Sequence, residues 1–494
     1  MLYRSTRGGE KDITASQAIL KGLACDGGLF MPENIPAFDF DIKTLVGKTY
    51  QQVAYEVMRL YLTDYTQEEL LDCINHAYDE KFDTEEIAPL TFAGGAYYLE
   101  LYHGATIAFK DMALSILPHL MTVAAKKNNV TDKIIILTAT SGDTGKAAMA
   151  GFSDVPGTGI IVFFPKGGVS RIQELQMVTQ KGKNVTAVAI HGNFDDAQTG
   201  VKKVFGNKEF NEKLAKMGVQ LSSANSINIG RLVPQVVYYV WSYVKLLENH
   251  KINEGDKINI CVPTGNFGNI LAAFMAKEMG LPVNKLICAS NDNKVLFDFF
   301  TTGEYDKNRE FILTDSPSMD ILVSSNLERL IYLSCGSDAK ENADLMAKLS
   351  KEGKYEISED MKAYMSSFAG GWASEEDVHK KIKSLYDETG YVIDTHTAVG
   401  ASVYDKYAKE TGDDTVTVIA STASPYKFAR AVVGAIGKDL SEDDFEVIDT
   451  LSALSGTAIP KAVTELKGAE IRHKAECEKT NVEDTVLKAI EWVN

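Results

Sequence analysis

Cysteine is scarce in this 494-residue chain: Cys25, Cys73, Cys261, Cys288, Cys335 and Cys477 are all there is, and no two form a CxxC pair. Cys261 and Cys288 stand in apolar, strand-like runs, where buried thiols are common. The pattern predicts reduced thiols and a cytoplasmic protein. No run of about 18 apolar residues occurs, which predicts no membrane span. The first residues, MLYRSTRGGEKD, are polar and lack an apolar h-region, which predicts no secretory signal. Positive charge is in deficit, with 51 Lys and Arg against 68 Asp and Glu, a formal net charge of −17. Nucleic acid and anionic membranes would be repelled at long range. A small anionic substrate is not excluded, because salt screens exposed charges beyond roughly 8 Å. Internal repeats and low-complexity linkers are also missing.

What is present is a chain long enough for two or three domains, 45% hydrophobic and 24% charged. Helical periodicity runs from Tyr50 to about Lys81. Thr91 to Tyr102 reads as two short strands turning at Gly94-Gly95. Short β-branched runs then alternate with helical segments: Ile134–Leu137, Ile160–Phe164, Val185–Ile190, Ile258–Val262, Leu286–Ala289 and Val416–Ser421. Such alternation predicts βαβ units and parallel sheets, with ligands outside the strands' carboxyl ends. The charged stretches beginning at Asp338 and centred on Asp443 read as solvated helix faces.

Five segments carry chemistry. TATSGDTG (Thr138–Gly145) follows a strand and opens a helix, where unpaired N–H groups suit an anion. Alone, it reads equally as a helix-capping loop. It is not a P-loop: Ala147 follows Gly145-Lys146, so the magnesium-binding hydroxyl is missing. PTGNFGN (Pro263–Asn269) repeats the device, with Gly265 and Gly268 bracketing Asn266 and Phe267. HGATIAFKD (His103–Asp111) sets Lys110 in an apolar stretch; it reads as a snorkelling surface lysine or as a Schiff-base lysine. SSANSINIGR (Ser222–Arg231) gathers groups able to grip a phosphate or carboxylate. STASPYKF (Ser421–Phe428) puts hydroxyls at a strand end.

Taken together, HGATIAFKD, TSGDTG, PKGGVS, SANSIN, TGNFGN and TASPYKF resemble, in order, the bacterial and fungal long-chain threonine synthases. YRSTRG and DGGLFMPE near the N-terminus share the likeness, which covers nearly the whole chain. The resemblance implies an α/β protein of the pyridoxal-phosphate (PLP) dependent, tryptophan-synthase β-like fold, fold type II. It implies an N-terminal helical module at 1–95 and a catalytic region at 96–494. Within the latter, a smaller α/β subdomain at about 131–225 is inserted in a larger one. Pyridoxal 5'-phosphate is the implied cofactor. Lys110 matches the lysine that bonds it. Gly265, Asn266, Phe267, Gly268 and Asn269 match its phosphate loop, and Thr422 the contact to its ring nitrogen. Asp143 faces the cofactor hydroxyl, and Ser141, Gly142 and Thr144 share its loop toward the substrate carboxylate. Asn225, Ser226 and Arg231 match the grip on substrate phosphate. The chain departs from the family at Gly168, often Arg, at Met112, often aromatic, at Ser424, usually His, and at Tyr426, often Ala.

The implied reaction converts O-phospho-L-homoserine and water to L-threonine and phosphate, by a protein acting as a monomer or weak homodimer. Two rivals stay open: a phospho-lyase releasing 2-oxobutyrate from the same substrate, and a non-catalytic relative. A serine or threonine dehydratase leaves the residues from Asn225 to Arg231 without a task.

Overall fold

The computed structural model describes residues 1–140 and 142–493. Two sheets organise the chain. The larger runs, edge to edge, Phe368–Trp372, Val283–Ser290, Ile258–Pro263, Thr417–Ser421, Ala96–Glu100 and Leu90–Ala93. All its pairs are parallel except the last, which is the hairpin expected at Gly94-Gly95. The smaller sheet is wholly parallel: Ala475–Glu478, Val185–His191, Thr158–Pro165, Lys133–Ala139 and Val219–Ser222. Central strands such as Thr158–Pro165 are buried along their whole length, so they read as continuous apolar runs rather than alternating ones. The strand Ala475–Glu478 comes from outside the range 131–225, and Leu90–Ala93, inside 1–95, belongs to the larger sheet.

The N-terminal helices follow from their periodicity. Tyr50–Tyr61 buries Tyr50, Val53, Ala54, Val57, Met58 and Tyr61, one face at helical spacing, and opens with a Thr49/Gln52 capping box. Gln67–Ala77 does the same behind Thr66 and Glu69. The helix Ile229–Glu248 is different: it is buried nearly all round, from Ile229 to Val244. A helix apolar on every side belongs inside a core, and this one packs between Tyr50–Tyr61 and Gly268–Glu278. The six cysteines are free thiols. Among the described residues no helix is long and apolar enough to cross a membrane.

Candidate active site

A cleft of about 2050 Å³ opens at the carboxyl ends of the strands of both sheets. It brings together Lys110, Thr144, Asn225, Ser226, Arg231, Gly265 to Asn269, and Thr422. Residues far apart in the chain meet there because each follows a parallel strand or opens the next helix. Ser141 lies outside the described residues.

Lys110 ends a loop that is fixed at both sides. Phe109 N donates to the Thr422 carbonyl at 2.8 Å, and Ala108 bridges Ala423, so the lysine and the end of strand Thr417–Ser421 are tied together. At the loop's start, His103 sits between Asp83 Oδ1 (2.5 Å) and Glu100 Oε2 (2.9 Å). Burial alone would lower the His103 pKa, but the two carboxylates outweigh it and raise it to about 9.

The Lys110 ammonium lies 3.5 Å from Asp143 Oδ2 and donates to Ser318 Oγ at 3.3 Å. Burial pushes its pKa down; Asp143 opposes that, and the positive charges of Lys427 and Arg231 reinforce it. A lysine so placed loses its proton more readily than a surface lysine, which suits Schiff-base chemistry. Asp143 is also buried. Burial would raise its pKa, yet Lys427 and Lys110 hold it well below the usual carboxylate range. Gln173 Nε2 donates to Asp143 Oδ1 at 2.8 Å, and Ser318 Oγ to Oδ2 at 3.1 Å. Gly142 precedes it with φ 137°, and a Cβ there would strike the Gln173 amide.

The loop after strand Ile258–Pro263 opens helix Gly268–Glu278, whose N-terminus has no side-chain cap. Phe267 holds the left-handed φ of 67°, a strained setting for a bulky residue, and its ring stacks on Phe300 and Phe368. At Gly265 a Cβ would approach Ser318 O to 2.8 Å. Small residues, a strained turn and an uncapped helix start make an anion cradle of backbone N–H groups. The Asn269 side chain is anchored through Oδ1, which accepts from Tyr238 and Tyr239 at 2.6 and 2.5 Å.

Arg231 supplies a second place for negative charge. It is buried, donates through Nη1 to the Ala224 carbonyl at 3.0 Å, and leaves Nε without a partner among the described residues. Burial lowers its pKa to about 10. A buried guanidinium facing a cleft, with an unpaired N–H, is set to receive an anion. Asn225 is exposed at the mouth, and Ser226 Oγ lies 3.5 Å from Asn326 Nδ2. Of the departures, Gly168 lines the cleft, and the Pro165 ring sits 2.8 Å from where its Cβ would stand. Ser424 caps the turn Pro425–Phe428 through Tyr426 N. Tyr426 donates to the Thr457 carbonyl at 2.7 Å, and Met112 is buried.

Sequence reasoning missed a buried support behind Lys110. Ser318 N donates to His396 Nε2 at 3.1 Å, so the ring proton belongs on Nδ1, which faces Asp394 Oδ2 at 2.8 Å. The dyad fixes the backbone of the residue whose hydroxyl touches both Lys110 and Asp143. Its sequence signal, Asp-Thr-His-Thr, is that of a helix cap: Asp394 also accepts from Thr397 N at 2.9 Å. Lys427 is likewise part of the site, within the quoted STASPYKF segment but without an assigned role there.

These features are those of the fold type II α/β class, and residues 92–422 match the family described as pyridoxal-phosphate dependent enzyme. Residues 2–78 match threonine synthase N terminus, and residues 397–476 match threonine synthase, C-terminal. Threonine synthase of Schizosaccharomyces pombe is 37% identical over 462 residues, covering 87% of this chain and 88% of that one. The PLP-bound threonine synthase of Brucella melitensis superposes with a TM-score of 0.88 at 35% identity, over 99% of both chains. The yeast threonine synthase structure gives 0.87 at 32% identity, over 99% of both. The chain belongs to the threonine synthase family. Human threonine synthase-like 1 is 40% identical over 441 residues, 86% of this chain; the chain spans 58% of that relative's length.

The residues present fit the family's cofactor, pyridoxal 5'-phosphate. An amine of lowered pKa, an uncapped helix start for a phosphate and a hydroxyl at a strand end face one space, with a buried carboxylate beside the amine.

Proposed function

We propose that the chain is a threonine synthase, converting O-phospho-L-homoserine and water to L-threonine and phosphate. One observation supports this substrate above others: Arg231, buried, with an unpaired Nε, offers the cleft an anion site separate from the Gly265–Asn269 cradle. A cofactor phosphate needs one such site; a phosphorylated substrate needs another.

In this reading Gly265, Asn266, Phe267 and Gly268 hold the cofactor phosphate on backbone N–H groups, with Asn269 in the same turn. Thr422 would hold the ring nitrogen through its hydroxyl, and Asp143 would hold the ring hydroxyl. Bound pyridoxal phosphate supplies an electron sink that stabilises negative charge on carbons near the substrate amine. Lys110 would hold the cofactor, and its Nζ would take the proton from the substrate Cα. Ser318 accepts an N–H of Lys110 and so aims the amine's lone pair. Arg231, with Asn225 and Ser226, binds the substrate phosphate and stabilises it as it leaves. Gly142, Thr144 and Ser141 take the substrate carboxylate at the start of helix Asp143–Phe152. A cytoplasmic location and a monomer or weak homodimer go with this reading.

The test is product analysis with O-phospho-L-homoserine, using wild type and Lys110→Ala. Equal amounts of threonine and phosphate, both lost in the variant, are expected. Phosphate with 2-oxobutyrate would instead assign a phospho-lyase. No phosphate from cofactor-loaded wild type would overturn the substrate.

A further inference from the structure

Two lysines meet at Asp143, and the reading above uses only Lys110. The Lys427 side chain is wholly buried. Its Nζ donates to the Thr106 carbonyl at 2.9 Å and lies 3.2 Å from Asp143 Oδ1, the oxygen that Gln173 also holds. Lys110 has the looser share, 3.5 Å from Oδ2, an oxygen already accepting from Ser318. The charged groups facing Lys110 are Asp143, Lys427 and Arg231. Asp143 also faces His396, and Lys427 faces Asp111 and Lys146 as well.

One carboxylate cannot fully compensate two buried ammonium groups, and each favours the neutral form of the other. The shorter carboxylate contact and the backbone acceptor belong to one group. That group is Lys427. We propose that Lys427 is a positioning residue: it occupies Asp143, denies Lys110 a full ion pair and leaves the Lys110 amine free to react. Lys427 therefore serves both duties of Lys110, bonding the cofactor and taking a proton, without touching the substrate. The same ammonium pins the Thr106 carbonyl, so charge and loop position come from one side chain.

This inference rests on Lys110 being the reactive lysine, but its test is independent of the product formed. The full chain is stripped of cofactor and trace-labelled with acetic anhydride across a pH series. Acetylation of Lys110 is then quantified by mass spectrometry. Wild type should titrate below the ordinary lysine value of about 10.4. Lys427→Gln keeps a donor for Thr106 but removes the charge; it should raise the Lys110 midpoint by roughly one to two units. Lys427→Arg should leave the midpoint near that of wild type. A merely structural role would lower melting temperature without moving the midpoint. An unchanged midpoint in folded Lys427→Gln, or the same rise in both variants, overturns the proposal. Should Lys427→Gln not fold, Asp143→Asn is compared with Asp143→Asn/Lys427→Gln, where no carboxylate is left short of partners. There the second substitution must raise the midpoint, and equal midpoints overturn the proposal.

Discussion

The cleft receives negative charge in two unlike ways. At the turn before helix Gly268–Glu278 the donors are backbone N–H groups, held by a left-handed Phe267 and by glycine where Ser318 crowds in. At Arg231 the donor is one side chain, buried and without a carboxylate partner. The first site depends on backbone conformation, the second on the identity of one side chain. On the proposed assignment, a resident cofactor would be met by fixed backbone, and a substrate that arrives and leaves by a side chain whose charge is otherwise unsatisfied.

Substitutions sharpen that contrast. Lys110, on which the proposed reaction depends, comes first: Lys110→Ala should lower kcat by about 10³-fold or more and remove the cofactor's visible absorption. Arg231→Met should raise KM for O-phospho-L-homoserine by about 10²-fold, the scale of losing a buried charged hydrogen bond. Cofactor affinity should stay unchanged. Because the lost cation was uncompensated, thermal stability should hold or rise. Gly265→Ala should do the reverse. Its Cβ meets Ser318 O and Met319 Cα at 2.8 and 3.2 Å, so cofactor affinity should fall roughly tenfold, KM of the loaded fraction changing little. Equal effects of the two on both ligands would break the division. His396→Gln, acting through Ser318 and Asp143, should cost about tenfold in kcat or less.

The smallest effect concerns pH. His103 has its folded pKa raised from about 6.5 to about 9, so its contribution is fully present below pH 6.5 and is lost as pH rises through about 9. The urea midpoint should fall between pH 7 and 10, by the equivalent of about 1–2 kcal/mol, discounted because Asp83 is half exposed. His103→Gln should flatten that slope.

The strands were legible because parallel sheets bury both faces. Ile134–Leu137 sits inside Lys133–Ala139, and Leu286–Ala289 inside Val283–Ser290. The loops were legible because glycine at a strand–helix junction carries a backbone requirement. The supports were not. His396 reaches Ser318 across 78 residues of sequence, and Lys427 reaches Asp143 from another sheet. Neither shows a local pattern, since a buried charge takes its meaning from partners that only folding supplies. The strand Ala475–Glu478 is short, with only Cys477 buried, too little for a periodicity signal.

That late strand has a consequence in time. Glu476 comes to His191 across 285 residues of chain. At the ordinary pace of translation, roughly a quarter of a minute to a minute separates the synthesis of the two. Throughout that interval the strand Val185–His191, buried in the finished protein at every residue but the last, stands at an open sheet edge. Vectorial synthesis therefore leaves one apolar strand at an open sheet edge until nearly the last of these residues is made.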